Sequence, residues 1–212
     1  MQALYSQPKK KFASRDTNPA LIRRYLLVIR MVQDATTDLE LRARSGDPAA
    51  FGQFLRLHDR DLRNVVWSVF RSPAHIDDVM QSSYERAFAK LSTFDGRSSL
   101  KTWLTSICYR TAIDHARFEG RRRHTSVDDE DAAVHYDSTL ESGIDISSLI
   151  SSRDELERAM ATLSTDEAAI LTMTAGLGYS FDEVAEIMDI KRGTVASRAS
   201  RARKRLQEEL RA

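Results

Sequence analysis

The sequence predicts an all-α protein of two small helical domains joined by an acidic, flexible tether. Three observations carry that prediction. Apolar residues recur at three- and four-residue steps along most of the chain, and no stretch of useful length alternates as a strand would. Between these runs lie helix-starting residues, among them Asp47-Pro48 and two segments with a serine three residues before a glutamate, Ser164 to Glu167 and Ser180 to Glu183. Around residues 120–150 the charge becomes one-signed and apolar residues thin out. With 212 residues, 42% of them hydrophobic, the chain can hold one large domain or two small ones and has enough apolar residues for real cores; composition alone does not decide the number.

In chain order, Leu39, Leu41, Phe51, Phe54, Leu55, Leu62, Val65, Val66 and Val69 form helical stripes that Gly46-Asp47-Pro48 divides into two helices. Asp47 suits the N-cap there and Pro48 the first helical position. Ser72-Pro73 makes the next break. Ile76, Val79, Met80, Tyr84, Ala87, Phe88 and Leu91 then line one face of a helix ending near Leu91. Phe94-Asp95-Gly96-Arg97-Ser98-Ser99 reads as a polar loop, and Leu100, Trp103, Leu104, Ile107, Cys108 and Thr111 start a helix expected to end near Phe118. The linker opens on Arg121-Arg122-Arg123 and then carries Asp128, Asp129, Glu130, Asp131, Asp137, Glu141 and Asp145. The expected division is thus an N-terminal extension of unknown role (1–37), a first domain (38–119), the linker (120–150) and a second domain (151–212). In that second domain Leu156, Ala159, Met160 and Leu163 mark one helix, and Gly176 and Gly178 end the one that follows.

Bulk properties narrow the function classes. A net charge of +1 is an average over segments of opposite sign. A single cysteine, Cys108, cannot form an internal disulfide, which fits a reducing, cytoplasmic setting. The stretch Leu21–Val32 is interrupted by Arg23, Arg24 and Arg30 and is too short to span a bilayer. Enzyme signatures are missing: the sequence has no glycine-rich phosphate loop, nucleophile elbow or His-Glu-x-x-His. His58, His75, His115, His124 and His135 do not share metal-ligand spacing with Cys108. No catalytic residue, metal or cofactor is expected.

The strongest local signal is a helix-turn-helix from Tyr179 to Leu206. A short capped helix, Phe181 to Met188, precedes the turn Asp189-Ile190-Lys191-Arg192 and a longer helix with Val195, Ala199, Ala202 and Leu206 on one face. That helix carries Lys191, Arg192, Arg198, Arg201, Arg203, Lys204 and Arg205 and no acid before Glu208. Side chains near its start suit base edges in a major groove, and the outer arginines suit phosphates.

Two blocks of residues give the whole chain a resemblance. Asp77-Asp78-Val79-Met80-Gln81-Ser82-Ser83-Tyr84-Glu85-Arg86-Ala87-Phe88, then Phe94 through Leu104 and Ala112-Ile113-Asp114-His115, resemble region two of the extracytoplasmic-function sigma factors. Gly178-Tyr179-Ser180-Phe181, Gly193-Thr194-Val195, Ser197-Arg198 and Arg201-Ala202-Arg203 resemble region four of the same family. The resemblance implies a sigma factor whose partners are bacterial core RNA polymerase, promoter DNA and an anti-sigma factor. It implies polymerase binding by Asp77, Asp78, Gln81 and Arg86. It implies minus-ten recognition by Asp95, Gly96, Arg97, Ser98, Ser99, Lys101, Trp103, Tyr109, Arg110 and Arg117, with Trp103 equally suited to the core. Minus-thirty-five recognition falls to Lys191, Arg192, Thr194, Ser197, Arg198, Arg201 and Lys204. Arg110 and Ala196 depart from the family pattern, where an asparagine and a basic residue are common. The other reading is a stand-alone helix-turn-helix regulator, which explains the second block and leaves the first without a role.

Overall fold

Helix follows helix through the chain, and the breaks have identifiable chemical causes. The computed structural model describes residue 30, residues 34–125 (backbone only over 122–125) and residues 155–210. The expectations for the rest of the N-terminal extension and for most of the acidic linker lie outside the described residues. The helices are α1 (34–44), α2 (Pro48–Phe70), α3 (Ile76–Lys90), α4 (Leu100–Thr125), α5 (155–161), α6 (Thr165–Leu171), α7 (Phe181–Met188) and α8 (Arg192–Glu209). No strand occurs among the described residues.

Gly46, at φ +90°, turns the chain out of α1 through a conformation that favours glycine. Asp47 then caps α2, its Oδ1 accepting from the backbone N–H of Ala49 at 2.9 Å and of Ala50 at 3.1 Å. Both expected capping boxes form. Glu183 N–H donates to Ser180 Oγ at 3.2 Å while Ser180 N–H donates to Glu183 Oε2 at 2.9 Å, and Ser164 and Glu167 repeat the arrangement. Two features depart from the expected pattern. α4 runs to Thr125 rather than ending near Phe118. Arginine is a good helix former, and one exposed glycine, Gly120, costs only about 1 kcal/mol. α6 also continues into a π-helical turn, Thr172–Gly176, closed by Leu177 N–H on Thr172 O at 2.9 Å.

α2, α3 and α4 pack as a three-helix unit around Phe51, Phe54, Leu62, Val65, Val66, Met80, Leu100 and Leu104, all fully buried. α7 and α8 close on α6 and its π-helical turn through Ile170, Met173, Val184, Ile187, Val195 and Ala199. The two units are docked, and one apolar cluster runs through both, with a smaller one of Leu163, Ala168, Leu171 and Ala202 beside it. Tyr179 sits in the seam with its hydroxyl 2.7 Å from that of Thr105. On the other side Arg71 donates to the carbonyls of Ala161 (2.8 Å), Leu163 (2.6 Å) and Ser164 (3.3 Å). The guanidinium thereby satisfies carbonyls at the end of α5 and at the cap of α6.

Candidate polymerase and nucleic-acid interfaces

On α3 the apolar stripe Ile76, Val79, Met80 and Ala87 is buried, which turns Asp77, Asp78, Gln81 and Arg86 outward. Their surroundings differ. Asp77 is bound to Arg63 at 2.6 Å, and Arg63 also holds Asp59 at 2.8 Å. Tyr84 donates to that same Asp59 at 2.6 Å, so an ionic and hydroxyl network fastens α3 to α2. Burial foremost, then the Asp59 carboxylate, raises the Tyr84 pKa. Gln81 donates to Glu85 along the helix at 3.0 Å. Arg86 folds onto α4, near Thr111 (3.3 Å) and Asp114 (3.4 Å). Among the described residues, Asp78 and Gln81 are therefore the members of this group that make no bond to another helix. Phe88, 57% exposed at the end of the same helix, adds apolar surface that the sequence pattern had assigned to the buried stripe.

The loop before α4 is built to hold its shape. Gly96 takes φ +73°. Asp95 accepts from the Arg97 backbone N–H at 3.2 Å and pairs with its guanidinium at 2.5 Å, and these two contacts, the backbone one first, lower the Asp95 pKa. α4 begins where Ser99 Oγ accepts from Thr102 N–H at 3.0 Å and Glu40, reaching over from α1, accepts from Leu100 N–H at 3.0 Å. Trp103 is half-buried and leans on Phe94, ring centroids 5.3 Å apart. Lys101 pairs with Asp61 at 2.6 Å and lies 5.5 Å from the centre of the Tyr179 ring. Arg110 and Arg117 are exposed and flank a cleft of about 310 Å³ between α4 and the second domain. Tyr109 is placed differently from its expected role as aromatic surface. It is 6% exposed, in the seam, its hydroxyl donating to Asp166 at 3.2 Å. Burial and the adjacent carboxylate raise its pKa.

The helix-turn-helix forms as the spacing predicts. α7 stops at Asp189, whose left-handed φ of 56° turns the chain, and α8 starts at Arg192. Burial of Val195, Ala199 and Ala202 rotates Lys191, Arg192, Ser197, Arg201 and Lys204 toward solvent, while Thr194 is half-buried. Arg192 pairs with Asp182 at 3.1 Å. Arg198 does not join the outer row with Arg201. It is half-buried and bonded to Asp166, the same carboxylate that Tyr109 reaches. Arg205 stays exposed but also pairs with a carboxylate of α6, Glu167, at 3.4 Å. The charge pattern alone could not sort these arginines, because the sorting depends on α6 lying against α8. No group of three or more metal-ligating side chains occurs among the described residues, and none of their helices is long and apolar enough to cross a membrane.

Comparison with known proteins matches two segments of the chain to two family descriptions. Residues 54–122 match Sigma-70 region 2, and residues 153–206 match Sigma-70, region 4. The ECF RNA polymerase sigma-E factor of Salmonella typhimurium is 30% identical over 174 residues, 80% of this chain and 91% of that protein. The RNA polymerase sigma-H factor of Pseudomonas aeruginosa is 28% identical over 185 residues, 85% and 96% of the two chains. Among solved structures, the sigma factor RpoE of Bartonella quintana, in complex with the anti-sigma factor NepR, superposes with a TM-score of 0.64 at 30% identity. That superposition covers 76% of this chain and 97% of RpoE. CnrH, in complex with the cytosolic domain of CnrY, gives 0.57 at 25% identity, over 81% and 94% of the two chains. With both regions present in order, carried on the helices described above, the chain belongs to the extracytoplasmic-function family of RNA polymerase sigma factors.

Proposed function

We propose that the chain works as an alternative sigma factor that brings core RNA polymerase to specific promoters and carries no catalysis of its own. The observation that carries this reading is the separation of two exposed surfaces on two domains. One is the polar face of α3, around Asp78 and Gln81; the other is the basic outer row of α8, with Lys191, Arg192, Arg201 and Lys204. The α3 face docks on polymerase. The loop Phe94–Ser99 and α4 take the non-template strand of the minus-ten element. Extruded bases need stacking and polar contacts to offset lost pairing, and Trp103 with Phe94 supplies ring surface beside the loop. α8 enters the major groove at minus thirty-five and meets phosphates with its outer cations. Each domain alone binds DNA weakly, and tethering makes the second contact effectively intramolecular.

The solved relatives bound to NepR and to a CnrY domain support an anti-sigma factor as regulator here. A cytoplasmic site of action follows as part of this proposal, supported by the relatives named as RNA polymerase sigma factors. The test is to mix the purified chain with sigma-free core polymerase, measure complex formation by size exclusion, and run transcription on genomic fragments. Stable association with discrete start sites is the expected result. DNA binding without association would favour the stand-alone regulator instead.

A further inference from the structure

We propose that Arg44, on α1, is a further contact to the minus-ten strand, binding a backbone phosphate beside the loop Phe94–Ser99. The inference rests on the reading of that loop and α4 as the minus-ten surface. Arg44 lies outside the segment that matches Sigma-70 region 2, which begins at residue 54, so nothing in that match assigns it.

Three observations place its head group. The guanidinium carbon is 5.1 Å from the centre of the Phe94 ring, the first residue of the loop. A side chain at Gly96 would run into the same guanidinium, which therefore occupies the space that the missing Cβ leaves over the loop backbone. α1 is also fixed to the far end of the loop by Glu40, whose carboxylate accepts the Leu100 N–H. One helix thus grips the loop at both ends, and the Arg44 head group is carried to its surface, where the residue remains exposed.

Charge sets Arg44 apart from its neighbours. Arg97 is paired with Asp95 at 2.5 Å and Lys101 with Asp61 at 2.6 Å, so both cations meet carboxylates within this face. The contacts that hold Arg44 are a ring and a stretch of backbone, which orient a planar cation without neutralising it. A guanidinium held in that way offers paired N–H groups to a phosphate.

The experiment uses the full chain in complex with core polymerase and a labelled single strand carrying the minus-ten element mapped by run-off transcription. Affinity is read by anisotropy across a salt series for the wild type, Arg44→Ala, Arg44→Lys and Arg110→Ala. One phosphate contact on a single strand contributes about 0.7 to the slope of log K against log salt. Arg44→Ala should lower the slope by about that amount and weaken binding several-fold at low salt. Arg44→Lys should keep the slope. Thermal unfolding of the free variants reports whether the fold is intact, and a folded Arg44→Ala chain with unchanged slope and affinity overturns the proposal. If Arg110→Ala weakens binding in that case, Arg44 alone is misassigned. If Arg110→Ala, at an exposed cation of the same face, is silent as well, the minus-ten reading falls and takes this proposal with it.

Discussion

His58 on α2 shows how a single side chain couples burial to pH. Its ring meets Phe54 edge-on, centroids 4.5 Å apart, and the groups that face it electrostatically are Lys101 and Asp61. Burial first, and the Lys101 charge second, lower its pKa from the ordinary 6.5 to about 4, with Asp61 pulling weakly the other way. The folded state therefore binds this proton less readily than the unfolded chain. Its contribution to stability is full above about pH 6.5 and is lost as pH falls toward 4. The expected outcome is a fall in the melting temperature of the wild type over that window, less steep in His58→Gln. Equal slopes in the two proteins would refute the assignment. The histidine was visible in the sequence as a residue without metal-ligand spacing. Its burial was not, because Lys101 comes from α4 and reaches it only once the helices pack. The same holds for Arg198 and Tyr109, which the family resemblance placed on DNA-facing surfaces and which the fold brings to one carboxylate, Asp166.

At the scale of the element, most of the architecture was written locally. The Asp47 cap with its following proline, and the two boxes at Ser164 and Ser180, are decided by side chains within three residues of the helix start. Hence they were legible. What was not legible follows from the same reasoning. The π-helical turn Thr172–Gly176 and the extra length of α4 have no local punctuation to announce them. The cap at Ser180 matters beyond α7, since α7 is eight residues long and is the first helix of the DNA-binding motif. Ser180→Ala removes the acceptor for the Glu183 N–H and should cost about 1 kcal/mol. Ser180→Asp should recover most of it. Chemical denaturation of the two variants checks this, and equal losses would show that the cap oxygen is not what is being measured.

For the whole molecule, the seam between the two units is the feature that sequence pattern could not supply. Its hydrogen bonds join residues far apart in the chain, such as Arg71 with Ala161 and Thr105 with Tyr179, and depend on complementary surfaces rather than on periodicity. Arg71 is the most economical way to perturb it. Its guanidinium serves three carbonyls of the other unit, and burial there lowers its pKa. Arg71→Ala should leave helix content unchanged while shifting the chain toward open forms, seen as a larger radius of gyration in solution scattering. A variant as compact as the wild type would mean that Tyr179 and the apolar cluster hold the seam unaided.

The central claim is a division of labour: α3 for polymerase, α8 for minus-thirty-five DNA. The direct test is one binding experiment on two variants of the full chain, each measured against both partners. Asp78→Ala with Gln81→Ala should weaken association with core polymerase and leave binding to a minus-thirty-five duplex unchanged. Arg201→Ala with Lys204→Ala should do the reverse, lowering duplex affinity and its salt dependence while polymerase association stays at the wild-type value. If either folded double variant loses both partners together, or if the α3 variant loses only DNA, the two surfaces are not separate and the account is wrong.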